Sequence, residues 1–129
     1  MKYTLKKQNN VGSDRTLDAV RKNGTVAADN ERYTLYDLHI NELTLSLTEL
    51  KPLQETRGHS HSDSSEIYFF VEGKGRMQIG ARGYEVKKGS VMLVPRGEFH
   101  RVINLTERKF VFAAVFEGDR SSKKYNFKS

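Results

Sequence analysis

From Tyr33 onward the chain alternates apolar and polar residues at period two, whereas residues 1 to 32 mix charged residues with Asn and Gly and carry little pattern. Tyr33-Thr-Leu-Tyr-Asp-Leu and Leu43-Thr-Leu-Ser-Leu-Thr each predict a strand. In the second, Leu43, Leu45 and Leu47 share one face and Thr44, Ser46 and Thr48 the other, as in a wall that packs on one side and lines a polar cavity on the other. Further along, Glu66, Tyr68 and Phe70 share a face, which turns Ile67, Phe69 and Val71 outward. Arg76 to Gly80, Tyr84 to Val86 and Val91 to Val94 predict short strands closed by Gly or Pro at a spacing typical of barrels. Phe110 to Phe116 is a continuous apolar run, which predicts a strand covered on both faces, the second cover being expected from another subunit.

Outside this β-rich region, Ser13 to Gly24 predicts a short helix, capped by Ser13 or Asp14, striped by Leu17, Val20 and Arg21, and ended by Gly24. The polar tail after Gly118 is expected to be loose. No internal repeat or linker interrupts the chain. At 129 residues it is long enough for one core and too short for two, so one domain is expected over 1–129, with an arm at 1–32, a barrel at 33–118 and a tail at 119–129.

Composition changes this picture mainly by exclusion. No cysteine is present, which removes disulfides, thiolate nucleophiles and Cys-ligated zinc. The first residues, Met-Lys-Tyr-Thr-Leu-Lys-Lys, lack an apolar signal region, and no window approaches the about 20 apolar residues of a membrane span, so a cytoplasmic protein with no membrane contact is expected. The net charge of +6 suits solubility and also an anionic small molecule. No basic run interleaved with aromatics suggests nucleic acid.

The chemistry concentrates in Thr56-Arg-Gly-His-Ser-His-Ser-Asp-Ser-Ser-Glu66. His59 and His61 are two apart, so on a strand they project from one face about 6–7 Å apart, within reach of one ion. Ser62 to Ser65 are turn formers, and a four-residue hairpin loop is expected to return Glu66 opposite the histidines. His100, in the stretch Gly89 to Asn104, supplies a fourth candidate ligand. Tyr68 shares a face with Glu66. Arg57, Arg96 and Arg101 are the nearest cations for a phosphate or carboxylate. Glu98, two residues before His100, is a candidate second acid or base beside Glu66, and His39 has no ligand spacing. Strict alternation places Arg57 with His59 and turns Thr56 away, unless Gly58 marks a bulge that resets the parity.

The first stretch reads G, H-x-H, four residues, E, six residues, G; the second reads G, five residues, P-x-G, two residues, H, three residues, N. Both match the two motifs of the cupin superfamily, and the chain resembles it. The resemblance implies an all-β cupin double-stranded β-helix, a jelly-roll barrel, with His59, His61, Glu66 and His100 around one divalent transition metal (Fe, Mn, Ni or Zn). Thr56-Arg-Gly-His-Ser-His, Glu66-Ile-Tyr68, Gly73-Lys-Gly-Arg-Met77 and His100-Arg-Val-Ile-Asn104 further resemble the cupin-type glucose-6-phosphate isomerases, over about residues 43 to 119. That resemblance implies that Thr56 and Gly58 meet a sugar phosphate and that Tyr68 and Glu66 face the sugar chain; it departs at Phe116, where that family carries a tyrosine. The expected function is interconversion of aldose and ketose sugars or sugar phosphates through a metal-stabilised enediolate, by a homodimer acting on an anionic small-molecule substrate. An Fe(II)-dependent dioxygenase and a non-catalytic small-ligand-binding cupin are the alternatives.

Overall fold

A computed structural model describes residues 17–61, 64–118 and 125–127, without the side chains of His61 and of residues 125–127. One short helix, α1 (Leu17–Asn23), precedes strands β1 (Thr25–Asp29), β2 (Tyr33–Ile40), β3 (Leu43–Leu50), β4 (His59–His61), β5 (Glu66–Glu72), β6 (Lys74–Ile79), β7 (Arg82–Lys87), β8 (Val91–Val94), β9 (His100–Ile103), β10 (Phe110–Glu117) and β11 (Tyr125–Phe127). All their pairings are antiparallel, in a six-stranded sheet of order β1-β2-β3-β10-β5-β8 and a five-stranded sheet of order β11-β4-β9-β6-β7. The strands expected from alternation are present. Three that were not expected as strands join them, β9 among them. β1 arises from the expected arm and pairs with β2, and β11 arises from the tail expected to be loose and pairs with β4, Tyr125 opposite His61 and Phe127 opposite His59.

β10 is the hinge of the architecture, because alternate residues of its apolar run feed two different cores. Phe110, Phe112 and Ala114 face the space between the sheets, where they pack with Phe70 and Tyr68 of β5 and with Met77, Val86 and Val102 of the smaller sheet. The Phe70 and Phe110 rings lie 5.3 Å apart and nearly parallel. Each such fully buried side chain contributes about 1.5–3 kcal/mol relative to leaving it in water. Val111 and Ala113 face the other way and pack with Leu47 and Val20. Part of the cover on this face is therefore supplied by α1 of the same chain, while Val115 stays exposed. Arg21 pins that helix, bonding Asp18 within it and Glu49 on β3. The expected helix caps, Ser13 and Asp14, lie outside the described residues.

β3 behaves as its alternation requires: Thr44, Ser46 and Thr48 are buried toward the barrel interior while Leu47 joins the core under α1. The end of the barrel that carries β10's first residue is closed by Asn104, almost wholly buried. Its Nδ2 donates to the carbonyls of Leu50, Lys51 and Arg108, and its Oδ1 accepts from the backbone N–H and the hydroxyl of Thr106. One side chain thus ties the loop after β3 to the turn between β9 and β10. Truncation would leave several of those buried groups without partners. Asn104→Ala is expected to lower the unfolding free energy by about 2–4 kcal/mol, read by urea denaturation at unchanged m-value; a loss below about 1 kcal/mol would show that the latch is dispensable.

Candidate metal centre

β4 does not form a hairpin with β5. It pairs with β9 and β11 in the smaller sheet, while β5 lies between β10 and β8 in the larger one. The serine-rich segment is accordingly a crossing between sheets, and Glu66 meets the histidines across the barrel interior rather than across a hairpin. Ser62 and Asp63 lie outside the described residues. The functional consequence is the same convergence by another route: β9 places His100 directly opposite His59, and β5 brings Glu66 in from the facing sheet.

His100 Nε2 lies 2.9 Å from His59 Nε2 and 3.0 Å from Glu66 Oε1, and His59 Nε2 lies 3.5 Å from the same oxygen. Two ligand atoms each about 2.1 Å from one first-row ion are separated by about 3.0–3.4 Å at octahedral to tetrahedral angles, so the triangle has the size of an ion's inner sphere. Tautomer chemistry supports the same conclusion. His100 Nδ1 lies 2.9 Å from the backbone carbonyl of Glu98, an acceptor only, so Nδ1 carries a proton and Nε2 is the ring atom turned to the cluster. Nε2 there meets a carboxylate oxygen and a second imidazole nitrogen, a donor set that suits a first-row divalent ion. His100 and Glu66 are both buried. His61, the remaining expected ligand, sits on β4 two residues from His59, and its side chain lies outside the described residues.

The cluster opens onto a cavity lined by Arg57, Ser46, Thr48 and Tyr68, among others. Tyr68 stands edge-on to His100, ring centres 5.6 Å apart, as its shared face with Glu66 predicts. Thr56, Arg57, Gly58 and His59 all line the cavity, although alternation alone would turn Thr56 away. Gly58 resolves this conflict with φ of +90°, a left-handed conformation that side chains rarely adopt. A Cβ there would also fall 2.3 Å from the Phe99 ring. Thr56 Oγ1 accepts from the Val102 N–H, which fixes the start of this segment.

Other expected site residues fall elsewhere. Glu98 is exposed and lines a separate groove with Gly80 and Arg82, its link to the cluster being its backbone carbonyl alone. The reason is that β9 begins at His100, so strand alternation does not extend back to Glu98. Arg101 is engaged by Gln78 and Glu55, and Arg96 is an exposed residue between β8 and β9. Arg57 is the arginine that reaches the cavity, and it has no ion pair among the described residues. His39 bonds Thr44 instead of joining the cluster. Tyr33, Leu35, Phe112 and Ala114 also line the cavity. Register was the available signal for these, since Ala114 lies opposite both Ser46 and Tyr68.

A small antiparallel barrel with imidazoles and a carboxylate gathered inside one end is the arrangement of a metal-binding double-stranded β-helix. The cupin domain pattern matches residues 46–116, and the chain belongs to the cupin family. It is 38% identical over 71 residues to a glucose-6-phosphate isomerase of Thermococcus litoralis, a match that covers 50% of this chain and 37% of that protein. A glucose-6-phosphate isomerase of Pyrococcus abyssi is 35% identical over 71 residues, covering 50% and 38%. The chain thus spans well under half the length of these curated relatives. Among solved structures, an uncharacterised double-stranded β-helix protein from Klebsiella pneumoniae superposes with a TM-score of 0.69 at 18% identity, covering 81% of this chain and 90% of that one. That likeness concerns the fold alone.

The purified protein is expected to hold about one first-row divalent metal per chain, measured by elemental analysis. His100→Ala should weaken that binding by more than the 10–100-fold that outer-shell changes cost, and Gly58→Ala should lower both stability and metal content; unaltered metal binding by His100→Ala would remove His100 from the site.

Proposed function

We propose that this chain is a metal-dependent isomerase that interconverts the aldose and ketose forms of a sugar or sugar phosphate. The observation that carries the reading is the opening of the His59–Glu66–His100 cluster onto a cavity that also holds Arg57, which has no ion pair among the described residues, and the side chains of Ser46 and Thr48. The isomerase relatives support it over half of the chain. A divalent ion, Fe, Mn, Ni or Zn, held by His59, His61, Glu66 and His100 would supply Lewis-acid polarisation of a substrate carbonyl.

The chain's own residues have separable tasks in this reading. Arg57 binds the anionic end of the substrate at the cavity mouth through charge-assisted hydrogen bonds, which are about twice as strong as neutral ones. Ser46 and Thr48 orient its hydroxyls, and Tyr68 bounds the sugar chain. Glu66 turns Oε1 toward the imidazoles, and Oε2 takes the proton from one carbon and returns it to the neighbour. Apolar walls from Leu35, Phe112 and Ala114 limit water at the reacting carbons, which strengthens each of these contacts. The proposed assembly is a homodimer.

The test is incubation of metal-loaded protein with a panel of aldose and ketose phosphates and free sugars in deuterated water, read by NMR, with oxygen uptake followed in parallel. The expected result is interconversion with deuterium at C1 or C2. Oxygen consumption on a non-sugar substrate would replace the isomerase with a dioxygenase, and no turnover with any panel member would leave a ligand-binding cupin. Glu66→Gln should reduce turnover by at least the about 10²–10⁴-fold contributed by general acid–base catalysis; full activity in that variant would remove Glu66 from proton transfer.

A further inference from the structure

The inward positions of the larger sheet fall into rows, because β2, β3, β10 and β5 pair side by side. Asp37, Ser46, Ala114 and Tyr68 stand opposite one another in one row, and the next row, two residues along each strand, ends in Glu66. The first of these rows contains a carboxylate that the metal cluster does not use. Asp37 is 4% exposed, and its Oδ1 accepts the hydroxyl proton of Ser46 at 2.9 Å. Burying a carboxylate is costly unless it is hydrogen-bonded, so Ser46 helps to hold Asp37 inside the barrel. Ser46 in turn lines the cavity beside Tyr68, and Ala114 between them contributes only a methyl group to the wall.

We propose that Asp37 is a positioning residue: by holding the Ser46 proton it makes Ser46 an acceptor toward the cavity, so that the site selects a ligand with a hydroxyl donor between its metal-bound and anionic ends. A serine hydroxyl has one proton and two lone pairs. With the proton directed at Asp37, the oxygen offers lone pairs, and the carboxylate behind it strengthens their pull on a donor. Thr48 lines the same cavity, and its hydroxyl has no partner among the described residues, so its proton can go to a ligand. The two hydroxyls of β3 are therefore not equivalent.

This gives the cavity a direction. Phosphate and carboxylate oxygens only accept, so an anionic group finds no donor at Ser46 and a negative charge behind it; Arg57 and Thr48 are where it is held. A ligand hydroxyl donates, and Ser46 is where it is read. The assignment rests on the reading of the cavity as the substrate site, and it narrows the substrate class to open-chain polyhydroxy anions, since a short keto acid or dicarboxylate has no hydroxyl to present there.

Calorimetric titration of metal-loaded protein with sorbitol 6-phosphate tests it, because this open-chain polyol phosphate has no carbonyl and binds without turning over. Analogues lacking one internal hydroxyl, and analogues carrying fluorine at the same carbon, complete the set. Loss of one particular internal hydroxyl should weaken binding at least about 10-fold, the lower end for a hydrogen bond to a charged group. Fluorine there should not restore it, since Ser46 has no proton to give. In Asp37→Ala the Ser46 proton is released, so the fluoro analogue should bind at least about threefold more tightly than the deoxy one, a reversal that a merely structural role would not produce. Asp37→Val, apolar and suited to a strand, serves if the first variant misfolds. Ser46→Ala should abolish the hydroxyl preference altogether. Equal weakening by every deoxy analogue, an unchanged preference in the Asp37 and Ser46 variants, or no binding of sorbitol 6-phosphate would each overturn the assignment. Hydroxyl-selective binding without isomerisation of any sugar would uphold it while removing the isomerase, and isomerisation without hydroxyl selectivity would do the reverse.

Discussion

Everything at the functional end of this protein follows from burying the Glu66 carboxylate beside the imidazoles of His59 and His100. A desolvated carboxylate costs several kcal/mol unless it is compensated. His100, whose Nδ1 faces the Glu98 carbonyl, turns Nε2 to the carboxylate, and His59 Nε2 lies beside both. A cation among these three ligand atoms would supply the compensation. The barrel therefore holds at one end a negative site shaped for an ion, with Arg57 farther out as a counterweight for whatever anion approaches.

The two ends of the barrel divide stability from chemistry. At the end closed by Asn104, stacked Phe70 and Phe110 and a saturated side-chain amide lock the turns together. At the metal end, the interior narrows from large aromatic rings to Ala114, and the hydroxyls of Ser46 and Thr48 reach the cavity. β10 connects both, and its apolar residues on two faces allow one strand to support the barrel interior and the α1 layer simultaneously. Backbone irregularity serves the site: with Gly58 in the left-handed region, four successive residues from Thr56 to His59 line the cavity, while Glu98, lying before β9 begins, lines a separate groove.

Much of this was legible in the sequence because strand alternation is strict. The inward set of β3 and the shared face of Glu66, Tyr68 and Phe70 follow from period two, while the gathering of His59, Glu66 and His100 was implied by the resemblance to the cupin motifs. What escaped were long-range matters. The crossing of the serine-rich segment between sheets cannot be told from a hairpin by composition, since both need turn formers. The cover on β10 was attributed to a second subunit, because a seven-residue helix with one buried valine carries a weak signal. β11 is three residues, Tyr125–Phe127, in an otherwise polar tail, too short for alternation to mark it as a strand.

The central claim is that His59, Glu66 and His100 hold one metal ion inside the barrel. Anomalous diffraction from crystals grown with the metal, recorded on both sides of its absorption edge, tests this most directly. The account predicts one strong peak per chain within about 2.0–2.2 Å of His59 Nε2, His100 Nε2 and Glu66 Oε1. A well-ordered crystal of metal-saturated protein with no peak among those atoms, or with its only peak on the surface, would contradict it.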